Sequence, residues 1–127
     1  MKFRKWVPVD NIPQRMHLEG LHDDYEGFRL LLRGESLSSR MLRIAYYNPL
    51  LYRNTDEGDR LRMLSNSSIL GEWPLFKVSS SDSELVKWIH EESRKIRSPD
   101  RMHHYVIATP NDIVEVVSEC SPEVVWI

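Results

Sequence analysis

Between residues 17 and 48 apolar and polar positions alternate with a period of two. Phe28, Leu30 and Leu32 form one row against Arg29, Leu31 and Arg33, and Leu42, Ile44 and Tyr46 form another against Arg43, Ala45 and Tyr47. Successive side chains of a strand point to opposite faces, so each row marks a face turned towards a core. A weaker run from His17 to His22 precedes them. The turn formers Asp23-Asp24-Tyr25-Glu26-Gly27 and Gly34-Glu35-Ser36 separate the runs. This pattern predicts an antiparallel three-strand meander with one face buried. Upstream, the segment to Pro13 carries two prolines and reads as an irregular arm or a short edge strand.

Beyond residue 53 the period lengthens. Asn54, Thr55 and Asp56 are good helix caps, acids follow in a first turn, and Leu61 and Leu64 fall at helical spacing. A short helix is predicted from about Asp56 to Asn66. Pro74 to Ser79 reads as a strand. Ser81-Asp82-Ser83-Glu84 has the capping-box form, and Leu85, Val86, Ile89 and Ile96 recur at about one turn. A helix to Arg97 is expected there, with Glu91 and Lys95 as an i,i+4 pair.

His103 to Ala108 reads as a strand. Thr109-Pro110-Asn111-Asp112 supplies a cap, a proline and an acid before Ile113, Val114, Val116 and Val117, which suggests a helix. The β-branched content leaves a strand as the alternative. Val124 to Ile127 closes the chain as a strand. The expected fold is α+β: a mostly antiparallel sheet, made of the N-terminal meander and the later strands, with about three helices packed on one face. Residues 1–127 are expected to form a single domain, since domains of this length are common and no linker or repeat divides the chain.

Composition narrows the class. At 41% hydrophobic and 28% charged residues the chain is neither disordered nor membrane-spanning in character. One cysteine, Cys120, excludes an intrachain disulfide and a four-cysteine zinc site, and favours a cytoplasmic location. The N-terminus lacks the apolar run of a signal peptide. A net charge of −2, with no Lys or Arg after Arg101, argues against nucleic acid as a partner.

Candidate chemistry is sparse. Cys120 lies between Glu119 and Ser121 in the most acidic part of the chain, which disfavours a thiolate, and reads as a partly buried helix end. His103 and His104 should point to opposite faces of a strand, and His90 has no ligand one turn away. The remaining metal option is a site assembled by folding, such as His22, Asp24 and His103, against the reading of the histidines as solvated turn and strand-end residues. The carboxylate pairs have structural explanations, and no phosphate loop, calcium loop or nucleophile elbow is present. No catalytic residue, cofactor or metal is therefore expected.

What is left is surface. Tryptophan is mostly buried, which places Trp88 at the core edge. Beside His90, Glu91 and Glu92 its other reading is an exposed aromatic anchor ringed by acids. The expectation is a non-enzymatic protein-binding domain, in its most specific form an immunity-like protein that neutralises a toxin or effector. Its partner-binding candidates are Asp56, Glu57, Asp59, Trp88, Glu91, Glu92 and Asp112. The alternatives are a metal-assisted hydrolase using dispersed histidines and carboxylates, and a homo-oligomer or structural subunit with Tyr46, Tyr47 and Tyr52 in a symmetric interface.

Overall fold

A computed structural model describes residues 2–36, 40–65 and 67–127. The alternating run folds as the pattern predicts. β2 (Met16–Asp24), β3 (Gly27–Gly34) and β4 (Met41–Tyr46) form an antiparallel meander. Phe28, Leu30, Leu32, Leu42, Ile44 and Tyr46 are buried on one face, while their neighbours stay half-exposed. Gly27 sits at φ 101, a left-handed conformation that closes the β2–β3 turn and suits glycine. β9 (Glu123–Trp126) adds to the free edge of β4, giving a first sheet in the order β2-β3-β4-β9.

The remaining strands build a second antiparallel sheet. β1 (Phe3–Lys5), β5 (Leu51–Asp56), β6 (Leu75–Val78), β7 (His103–Ala108) and β8 (Asp112–Ser118) take the order β1-β6-β7-β8-β5. The two sheets pack face to face. Leu75, Tyr105, Ile107, Val114 and Val116 of the second sheet meet the buried row of the first in the largest apolar cluster. The N-terminal arm is tied in by indole hydrogen bonds, Trp73 Nε1 to the Trp6 carbonyl and Trp126 Nε1 to the Asp10 carbonyl, both at 3.0 Å.

The outer face of the second sheet is covered as well. Near β6, Phe76, Val78, Val106 and Ile113 pack under Leu70, with Met63, Leu64 and Ile69 around them. These come from α1 (Leu61–Ser65) and the 3₁₀ turn Ser68–Gly71. Further along, Val86 and Ile89 of α2 (Glu84–Glu92) pack on Met102 and Val117. The molecule is thus three layers: sheet, sheet, and a thin helical cover.

This mostly β architecture corrects the expected α+β fold with about three helices. Among the described residues nine strands lie in two antiparallel sheets, beside two α-helices. The largest error concerns residues 112–118, expected as a helix and found as β8. Every residue from Ile113 to Ser118 is buried because both faces of this sheet are covered. A run buried on both sides has no polar phase, so its periodicity cannot separate helix from strand. Thr109-Pro110-Asn111-Asp112 closes the β7–β8 hairpin instead of capping a helix. The Thr109 N–H and hydroxyl both reach the Asp112 carbonyl, and the Asp112 N–H returns to Thr109 Oγ1.

Smaller corrections have local causes. The helix expected over 56–66 splits: Asp56 ends β5 and caps the 3₁₀ turn Glu57–Asp59 through Gly58 N–H at 2.8 Å, and α1 starts afresh at Leu61. Asn66 lies outside the described residues. α2 ends at Glu92 rather than Arg97. Ser93 donates its hydroxyl to the His90 carbonyl, and Arg94 and Lys95 take positive φ, so Ile96 turns out to solvent and no Glu91–Lys95 helical pair forms. Cys120 is exposed in the β8–β9 turn rather than ending a helix. Among the described residues no helix is long and apolar enough to cross a membrane.

Candidate functional site

The covered face of the second sheet carries a buried charge cluster where apolar packing is interrupted. β8 places Glu115 between Ile113 and Val117 on that face, fully buried. β5 runs alongside and sets Arg53 directly opposite in register. Arg53 Nη2 donates to Glu115 Oε2 at 2.8 Å, and Arg60, just after the 3₁₀ turn, donates to Oε1. β7 contributes His104, whose Nε2 lies 3.2 Å from Oε2. Its Nδ1 lies 2.7 Å from Ser83 Oγ, and that oxygen also accepts the Val86 N–H at 3.1 Å to cap α2.

Burial by itself would raise the Glu115 carboxyl, but the hydrogen bonds from His104 and Arg60 and the charges of Arg53 and Arg60 outweigh it. They hold the group down at about 2, as a carboxylate. A carboxylate accepts only, so His104 donates to it from Nε2. In the neutral imidazole Nδ1 then accepts from the Ser83 hydroxyl. The order Ser83–His104–Glu115 is that of a nucleophile, base and orienting acid. Ser83 is fully buried and its oxygen is already used by the helix cap, so no carbonyl carbon can reach it. The chain of bonds acts as a clamp between α2 and the sheet.

Above the cluster opens a polar cleft of about 660 Å³. Its floor is Glu115 and His104, with Arg53, Arg60 and Arg62 entering from the β5–α1 side. Asp82 and Glu84 form the rim on the α2 side, and Phe3, Met63 and Leu85 supply its apolar surface.

The acids singled out in the sequence fall into two groups. Asp56 and Asp112 face each other in the β5–β8 register, and Glu57 and Asp59 follow in the adjoining turn. Trp88, Glu91 and Glu92 lie together on α2, over the other end of that ladder near Leu51 and Val117. Five strand steps, roughly 17 Å, separate the two ends. Of the seven candidates Asp59 lines the cleft, and the two groups do not form one face.

Trp88 is 55% exposed, which corrects its placement at the core edge. It projects from α2 with Glu84 four residues before it and Glu91 and Glu92 three and four after it. All three acids are exposed. Of the tyrosines considered for a symmetric interface, Tyr46 is buried in the core while Tyr47 and Tyr52 are exposed. His22 and Asp24 lie on β2 and His103 on β7 of the other sheet. Among the described residues no three His, Cys, Asp or Glu side chains converge. His104 is deeply buried, against the expectation of solvated histidines. The one signal for the cluster was Glu115 itself, a lone charge within Ile113-Val114-Glu115-Val116-Val117. Comparison with family models, with curated proteins and with solved structures finds no match to this chain.

Proposed function

We propose that the protein is a non-enzymatic binding domain that engages a basic protein partner through the exposed face of α2. The observation that carries this reading is Trp88, a large apolar side chain held out to solvent inside a ring of Glu84, Glu91 and Glu92. Interfaces concentrate their energy in aromatic anchors with polar rims, and complementary charge speeds encounter. The helix is presented rigidly: Val86 and Ile89 anchor it to the sheet, and Ser83 ties its first turn to His104. In its most specific form this is an immunity-like protein that masks a cationic toxin or effector. A single exposed cysteine fits a reducing, cytoplasmic setting for that role.

The test is affinity capture from the native host at low salt with wild type, Trp88→Ala and the Glu91→Lys, Glu92→Lys double variant. The expected result is one stoichiometric partner that is lost with either variant and at high salt. A partner retained equally by all three proteins would remove α2 as the binding face.

A further inference from the structure

The cleft beside α2 holds guanidinium donors that the fold alone does not use up. Two guanidinium groups, Arg53 and Arg60, share one carboxylate at its floor, Glu115, so most of their N–H groups are left over. Arg60 is the more telling of the two, because its side chain is only 15% exposed. Glu115 balances that shielded charge, and the rim acids Asp59, Asp82 and Glu84 are exposed and water-screened, so what the floor offers an anion is oriented N–H donors. Each guanidinium spends one Nη on Glu115, with Arg60 Nη1 also reaching Thr55 Oγ1. Arg53 Nε and Nη1 and Arg60 Nε and Nη2 have no hydrogen-bond partner among the described residues. Arg62 lines the same wall and likewise has no ion-pair partner among them.

Fixing a guanidinium through a buried carboxylate removes the flexibility that makes exposed arginines weak binders. The remaining N–H groups then suit a planar or tetrahedral oxyanion. A cleft of about 660 Å³ is far larger than such an ion and falls in the range of small-molecule sites. Phe3, Met63 and Leu85 offer apolar contact to whatever carries the anion.

We infer that this cleft binds a small organic anion, its carboxylate or phosphate head on Arg53, Arg60 and Arg62 and its apolar or aromatic body against Phe3, Met63 and Leu85. The site adjoins the proposed partner face at Glu84, while Trp88 itself does not line the cleft. Calorimetric titration with adenosine monophosphate, indole-3-acetate and inorganic phosphate tests it on the full chain. Saturable binding of the nucleotide identifies a phosphate head, and of the indole acid a carboxylate head. Arg53→Gln should weaken the preferred probe about tenfold or more, as loss of a charge-assisted contact does. Arg62→Gln, which does not touch Glu115, should weaken it as well in a protein with unchanged melting. Trp88→Ala should bind as wild type does. The inference is overturned if neither organic anion binds, if inorganic phosphate alone binds, or if both arginine variants bind as wild type.

Discussion

The two sheets are made by one chain from similar residues, yet they stand in different surroundings. The β2-β3-β4-β9 sheet is dry on one face and wet on the other. Its outer side chains are held in surface ion pairs, Arg29 with Asp24 at 2.9 Å and Arg43 with Glu123 at 3.2 Å. The β1-β6-β7-β8-β5 sheet is covered on both faces, and its central strands are buried almost end to end. The same type of contact has a different weight in each. On the wet sheet a carboxylate is solvated whether or not its arginine is present. On the covered sheet Glu115 depends on Arg53, Arg60 and His104 for all of its solvation.

The sharpest way to break this contrast is to remove the buried carboxylate. Glu115→Ala leaves Arg60 uncompensated and His104 without its acceptor, and should cost about 3–5 kcal/mol in urea unfolding. A pH series isolates the charge. The Glu115 carboxyl is lowered from an ordinary 4.5 to about 2 by folding, so its contribution is fully present above pH 4.5 and is lost as pH falls towards 2. Glu115→Gln should therefore show a flatter loss of stability across that window than wild type. Equal acid slopes for the two proteins would mean that the cluster is not held as an ionised carboxylate.

Next in size is the apolar contrast between the two outer faces. Phe76 is fully buried on the covered sheet, and Phe76→Ala should cost about 3–5 kcal/mol. Leu31 occupies the outer face of the wet sheet and is half-exposed. Leu31→Thr should change stability by less than about 1 kcal/mol, because threonine also suits a pleated, half-wet surface. Similar losses at both positions would show that the first sheet is covered in solution by something else.

This difference in surroundings also explains what could be read in the sequence. The β2–β4 meander was legible because one wet face writes a polar phase into every second residue. β8 was not, because two dry faces erase that phase, and Thr109-Pro110-Asn111-Asp112 suits a hairpin as well as a helix start. The start of α2 was nearly right, with Ser83 taking the cap in place of Ser81. Its end was hidden, since Arg94 and Lys95 adopt left-handed φ without a glycine to announce it. The charge cluster was illegible for a different reason. Arg53, Arg60, Ser83, His104 and Glu115 come from five separate segments, and no spacing along the chain predicts their meeting.

The cap offers a medium-sized test of the clamp. Ser83→Ala removes the bond to the Val86 N–H and leaves His104 Nδ1 without its partner, at an expected cost of about 1–2 kcal/mol. Ser81 hydrogen-bonds Ser79 Oγ on the surface, and Ser81→Ala should stay within about 0.5 kcal/mol. If the two substitutions cost the same, neither the cap nor the link from α2 to Glu115 would carry energy.

The smallest effect distinguishes the sheets most directly, because it compares like with like. Arg43–Glu123 and Arg53–Glu115 are both cross-strand arginine–glutamate pairs, at 3.2 and 2.8 Å. In the first pair both side chains are well exposed, at 38% and 67%. A double-mutant cycle there should give about 0.2–1 kcal/mol at low salt and almost nothing at about 1 M salt, where screening acts within a few ångströms. In the second pair the carboxylate is fully buried while Arg53 reaches the surface. Salt can screen only the outer half of that interaction, so its coupling should be larger and should survive in part. A pair whose coupling vanished with salt on both sheets would place Glu115 within reach of solvent ions, and the covered face would have to open in solution.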